Sequence, residues 1–87
     1  MKKIKMFVIG YCPHCKAAIS WMEELFEQDA EYKSLEVEII DEELHADRAN
    51  RYDYYYVPTY YIDEVKVHEG VASLELVKSV FDSALGR

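Results

Sequence analysis

Two cysteines stand three positions apart, Cys12-Pro13-His14-Cys15, at the junction of two different hydrophobic patterns. Before them, Ile4 to Ile9 reads Ile-Lys-Met-Phe-Val-Ile, a short apolar run with β-branched residues, and predicts a buried strand. After them, Ile19, Met22, Leu25 and Phe26 recur at helical spacing, with Glu23, Glu24 and Glu27 on the other side. The pair therefore lies where a strand hands over to a helix. Pro13 suits the first helical turn, where its missing N–H costs nothing. No other cysteine occurs in the 87 residues. The chain thus lacks the disulfide framework of small secreted scaffolds. A loop as small as this one adds little stability through chain entropy, compared with ~3 kcal/mol for a 15-residue loop. The pair is left for redox exchange or metal ligation.

Without staples, the fold depends on its core, and a single domain spanning 1–87 is expected. The composition supplies that core: 51% of residues are hydrophobic and 14% aromatic. Disorder is excluded on that ground. Acidic residues outnumber basic ones, 17 to 10, for a net charge of −7. Such a surface repels nucleic-acid phosphates and anionic lipid, so neither is an expected partner. No run approaches the ~20 apolar residues of a membrane span. Lys2 and Lys3 precede an apolar run, but Lys5 interrupts it and no small-residue cleavage site follows. A cytoplasmic monomer is expected.

Further along, Asp29 to Ser34 is polar and reads as a loop. Leu35, Val37 and Ile39 alternate with Glu36 and Glu38, a period-two strand signal. Asp41 is expected to cap a second helix with Leu44 and Ala49 inside and Tyr52 near its end. Pro58 requires Val57 to be extended. Thr59 to Ile62 and Val65 to His68 form two β-rich runs around an Asp63-Glu64 turn, a hairpin without glycine. Ser73 is placed to cap a last helix with Leu74, Val77, Phe81 and Leu85 inward. The predicted order is β-α-β-α-β-β-α. A right-handed βαβ unit followed by an antiparallel hairpin makes an α/β fold, a mixed four-stranded sheet covered by three helices.

The position of the pair has chemical consequences. The thiolate is the nucleophile, and a free cysteine titrates near ~8.5. A helix N-terminus favours negative charge through its unpaired N–H groups and its dipole. Cys12 would point its sulfur into that field, and Cys15 lies one turn deeper. Cys12 is therefore the expected attacking thiolate and Cys15 the thiol that resolves the mixed disulfide. His14 is expected to add a positive charge or an N–H donor. The competing use is a Cu(I) or Zn(II) carrier through Cys12 and Cys15. Structural zinc wants four ligands, and His45 and His68 fall at no recurring distance from the pair, so no metal site is expected. A third reading is a non-catalytic interaction domain, which two intact cysteines disfavour. Trp21 and the tyrosine-rich stretch from Tyr52 to Tyr61 read as core and rim packing, each buried hydroxyl needing a partner. Asp41-Glu42-Glu43 reads as a solvated helix start.

The Cys-Pro-His-Cys motif after the first strand, together with Val57-Pro58-Thr59 before the third, resembles the thioredoxin superfamily over nearly the whole chain. The length is similar to that of glutaredoxins and the smallest thioredoxins. The resemblance implies a thioredoxin fold and a dithiol–disulfide oxidoreductase with a redox-active disulfide serving electron transport. It also implies a cis bond at Pro58, with the Val57 N–H and C=O turned toward a substrate strand. Tyr11 stands where thioredoxins carry a substrate-facing Trp. No bound cofactor is implied; glutathione or an NADPH-linked reductase would supply electrons, and disulfide-containing client proteins or glutathione would receive them. Ile9, Gly10 and Tyr11 replace the Lys or Arg by which glutaredoxins hold a glutathione carboxylate, and Glu69 is expected to repel it. Met6 occupies the place of the buried Asp of thioredoxins. With Pro13 and His14 tuning the motif, a potential more oxidising than about −270 mV is expected, near about −200 to −230 mV, and sensitive to His14→Ala.

Overall fold

The computed structural model describes residues 2–87. The chain runs β1 (Ile4–Val8), α1 (Pro13–Gln28), α2 (Ala30–Lys33), β2 (Val37–Asp41), α3 (Ala46–Ala49), β3 (Thr59–Ile62), β4 (Val65–Glu69) and α4 (Leu74–Leu85). The sheet order is β2-β1-β3-β4. β1 pairs in parallel with β2, from Ile4 opposite Val37 to Val8 opposite Asp41. β3 runs antiparallel to β1, and β4 antiparallel to β3. No helix among the described residues is long and apolar enough to cross a membrane.

Residues alternate across β1, so the central strand feeds two faces. Ile4, Met6 and Val8 join Tyr60 and Ile62 under α1 and α4, with Leu25, Val77 and Phe81 among the buried side chains. Phe81 stacks on Phe26 with ring centroids 5.2 Å apart and tilts against Tyr32 at 5.5 Å. On the opposite face Phe7 packs with Ile40, Ala49 and Tyr61, and tyrosines take the place of a covering helix. Tyr52 and Tyr54 lie 4.7 and 4.9 Å from the Phe7 ring. Their hydroxyls find partners, as burial demands. Tyr52 hydrogen-bonds with Lys5 and Glu64, Tyr54 with Glu42, and Tyr61 donates to the Asp53 carbonyl at 2.8 Å.

Three local expectations are corrected. The loop expected at Asp29 to Ser34 contains a one-turn helix, α2, so the described residues hold four helices instead of three. Asp29 makes it possible: its N–H closes α1 on the Leu25 carbonyl, and its carboxylate accepts the Glu31 N–H at 2.9 Å. The second long helix does not start at Asp41, which ends β2. Its carboxylate accepts the Glu43 N–H at 2.9 Å and its carbonyl the His45 N–H, a local turn that competes with helix nucleation. Only Ala46–Ala49 is helical; Ala49 is buried, but Leu44 is 77% exposed. Ile39, expected inward, is 46% exposed. It lies on the edge strand with Val37, beside a groove shared with Leu35, Met22 and Phe26 that α1 leaves uncovered.

The hairpin between β3 and β4 turns on Asp63 and Glu64, both at positive φ (46° and 70°) without glycine. The Asp63 carboxylate accepts the Lys3 N–H at 2.9 Å, and Glu64 pairs with Lys5. Ser73 caps α4 by accepting the Leu76 N–H at 3.1 Å, and Gly86 ends it in the left-handed region at φ 83°. Val77 and Phe81 are buried, whereas Leu74 and Leu85 pack on the core's margin.

Candidate active site

Cys12 donates its N–H to the Ile9 carbonyl at 3.0 Å, a tight turn that brings it directly from β1 to the head of α1. Its backbone is extended (φ −78°, ψ 119°), and its carbonyl accepts the Lys16 N–H at 3.1 Å. Cys12 is thus the N-cap, Pro13 the first helical residue, and His14 and Cys15 the donors of the first open N–H groups. Where Ser or Asp would place an oxygen, this chain places a sulfur. It makes no full capping hydrogen bond, yet it faces those donors. The Cys15 N–H lowers the Cys12 pKa most; burial opposes it, and the Cys15 thiol and the His14 N–H pull it down further. The His14 imidazole is exposed and is not among the groups acting on Cys12. The His14 main-chain N–H is thus one of the donors at the thiol.

Cys15 has the opposite setting. It is 2% exposed, packed in the core group that contains Met6, Val8 and Tyr60. Burial first, against the lowering effect of the Ile9 main chain, pushes its thiol up to about 11; Cys12 and the Glu42 carboxylate add to the rise. Tyr60 is raised by burial and by Cys15 beside it. Both cysteines carry free thiols. The arrangement separates one easily ionised sulfur from one held protonated.

The remaining candidates lie on loops around the pair. Tyr11 is 70% exposed. Val57 is half-buried on the margin of the core group that holds Cys15, as Cys12 is. The Val57–Pro58 peptide is cis, Pro58 is buried, and its carbonyl accepts the Gly70 N–H at 2.9 Å. Among the described residues neither the N–H nor the C=O of Val57 has a hydrogen-bond partner. No cluster of three or more His, Cys, Asp or Glu among the described residues is arranged to hold a metal ion.

Glu69 does not stand free to meet a ligand carboxylate, as the sequence suggested. It accepts the Tyr55 and Tyr56 N–H groups at 2.5 and 3.0 Å and the Lys66 ammonium at 2.8 Å. Lys66, and then these N–H groups, hold its carboxyl at about 2, well below the usual range. Lys66 also reaches the Asp53 carbonyl at 3.1 Å. The β3–β4 hairpin thereby clasps the loop that leads into Val57 and Pro58.

Glu69 and Glu42 are the two residues whose place sequence reasoning missed. Glu42 sits where β2 runs past the end of β1, its N–H donating to the Val8 carbonyl at 2.9 Å. The parallel register that pairs Val8 with Asp41 is the signal that brings it beside the motif. The same register explains Gly10: a Cβ there would stand 3.1 Å from the Asp41 carboxylate, closer than ordinary contact.

A mixed sheet with a dithiol at the head of the helix after its first strand defines a small α/β dithiol protein. The chain matches the family model described as a thioredoxin domain across residues 2–82, and it belongs to that family. Membership supports a thioredoxin-family redox role. Among solved structures it is similar to a single-site mutant of thioredoxin from Halobacterium salinarum NRC-1, with 24% identity and a TM-score of 0.71. That likeness covers 95% of this chain and 74% of the other, and shows the thioredoxin fold. No match was found among curated proteins.

Proposed function

We propose that the chain is a dithiol–disulfide oxidoreductase. The observation that carries this reading is the placement of two free thiols, Cys12 at the N-cap of α1 and Cys15 buried one turn deeper, and the lowered Cys12 and raised Cys15 values agree with it. The Cys12 thiolate attacks one sulfur of a substrate disulfide. That S–S bond breaks, a Cys12–substrate disulfide forms, and the departing thiolate takes a proton from solvent. The Cys15 thiol then attacks the Cys12 sulfur, its proton passing through solvent to the departing substrate sulfur. The Cys12–substrate bond breaks, the second substrate thiol leaves, and the Cys12–Cys15 disulfide holds the oxidising equivalent. Two electrons have passed to the substrate, and glutathione or an NADPH-linked reductase returns them. The unpaired Val57 N–H and C=O suit an extended substrate segment added in β fashion, with Tyr11 and Pro58 beside it. A reducing, cytoplasmic compartment suits the cycle, and the protein acts as a monomer on disulfide-containing clients.

Reduction of a fluorogenic peptide disulfide tests this. Wild type should reduce it, Cys12→Ser should lose all turnover, and Cys15→Ser should accumulate a mixed disulfide on Cys12. Alkylation at pH 7 that marks Cys15 before Cys12, or turnover surviving in Cys12→Ser, would reject the mechanism. Running the assay with thioredoxin reductase beside glutathione and glutathione reductase identifies the donor.

A further inference from the structure

A cleft of about 280 Å³ opens on the Phe7 face of the sheet, its lining including Glu42, Ala49, Asn50, Tyr52, Tyr54 and Tyr55. That volume is at the low end for small-molecule sites, which run ~300–1,000 Å³, and suits one side chain. Part of its wall is packed. Tyr52 and Tyr54 are both packed on Phe7, and the Tyr54 hydroxyl lies 3.4 Å from a Glu42 oxygen. Tyr55 is held by the Glu69 clasp at its N–H while its side chain stays 87% exposed. The carboxylate in the cleft has no cationic partner: none of the ion pairs among the described residues includes Glu42. The Tyr52 ring already carries Lys5, but the exposed Tyr55 ring offers a negative π-face to a cation, and a carboxylate adds the counter-charge. No basic residue lines the cleft, and the whole chain carries −7, so an anionic group has no reason to enter. The cleft opens at the end of the sheet that carries the motif: Glu42 donates its N–H to the carbonyl of Val8, the last residue of β1, at 2.9 Å, and Tyr55 stands two residues before Val57.

We propose that this cleft receives a Lys or Arg side chain of the client polypeptide while the client's disulfide is engaged at Cys12. The proposal rests on the oxidoreductase reading and gives it a substrate class: disulfides flanked by a cationic residue. Exposed charge pairs contribute modestly, so the expected preference is about three- to fivefold. Salt should erode it, since the Debye length is only ~8 Å at 0.15 M.

The test uses peptide disulfides identical but for Lys, Gln or Glu at one position beside the half-cystine, varied on each side. The quantity compared is the ratio of kcat/KM for the Lys and Gln peptides, which cancels any change in the thiols themselves. Wild type should favour Lys about three- to fivefold at one of these positions. Glu42→Gln should bring the ratio to one. Glu43→Gln, the same charge change on the exposed neighbour, should keep it. An equal ratio in wild type and Glu42→Gln, or equal loss in Glu43→Gln, overturns the proposal, the latter because general attraction would then explain the preference. If wild type reduces none of the peptides, the oxidoreductase reading fails by itself. The cleft is then judged by NMR titration with the disulfide-free Lys peptide. Shifts at Tyr54 and Tyr55 that vanish in Glu42→Gln support it, and their absence in wild type overturns it.

Discussion

Cys12 draws its acidity from the peptide N–H groups of Cys15 and His14, donors that no side-chain substitution removes. His14→Ala should therefore move the redox potential by less than the ~30 mV that marks a tenfold change in equilibrium. Titration against glutathione measures this, and a larger shift would give the imidazole the role the motif suggests. Cys15 gives a second prediction, through its protonation. Its folded-state value, about 11, lies above the ~8.5 of an unfolded thiol. The unfolded chain therefore loses this proton first. The contribution of the neutral Cys15 thiol is complete below about pH 8.5 and is lost as pH rises toward about 11. Cys12 has the opposite sign: its thiolate stabilises the folded reduced form above its lowered value, and that contribution fades on acidification. Urea unfolding of the reduced protein between about pH 7 and 11 should show a falling midpoint that is less steep in Cys15→Ser, the fall that remains coming from groups such as Tyr54 and Tyr60, whose values burial also raises.

At the scale of elements, the loop between α3 and β3 is the segment with least regular structure near the site, and Glu69 organises it. The Glu69 carboxylate is lowered to about 2, chiefly by Lys66. Its contribution is present above the ~4.3 of an unfolded glutamate and is lost as pH falls through about 2. The Tyr55 and Tyr56 amide signals should accordingly titrate near about pH 2, not near ~4.3. Glu69→Gln should speed hydrogen exchange at those amides and raise KM for a peptide disulfide a few-fold. The pH profile of Cys12 alkylation should stay unchanged, because the clasp touches the loop and not the thiols. A profile that moves with the loop would place Glu69 in the thiol chemistry instead.

Across the whole molecule, stability rests on a sheet covered differently on its two sides, by α1 and α4 on one and by packed tyrosines on the other. Phe81 joins three elements, meeting Phe26 of α1 and Tyr32 of α2 from α4. Phe81→Ala should cost about 3–5 kcal/mol. Folded domains hold only ~5–15 kcal/mol in all, so thermal unfolding should show a large drop in Tm. The thiol asymmetry depends on the same packing, since burial is the first cause of the Cys15 rise.

Signals carried by near neighbours were decisive in the sequence alone. The apolar run of β1, the cysteine pair at the start of α1, the Ser73 cap and the spacing of Val77 and Phe81 all involve residues a few positions apart. Such contacts form inside one strand or one helical turn, whatever the rest of the chain does. Other features needed partners distant in sequence. That Ile40 is covered and Ile39 open follows from β2 lying at the edge of the sheet. That Glu42 stands at the end of β1 leading into the dithiol follows from a parallel register, and that Glu69 binds a loop 13 and 14 residues earlier follows from the hairpin's position. A charged residue in a polar run has no periodicity to betray its direction. Only the packing of remote segments decides which carboxylate meets solvent, which meets a thiol, and which meets the main chain.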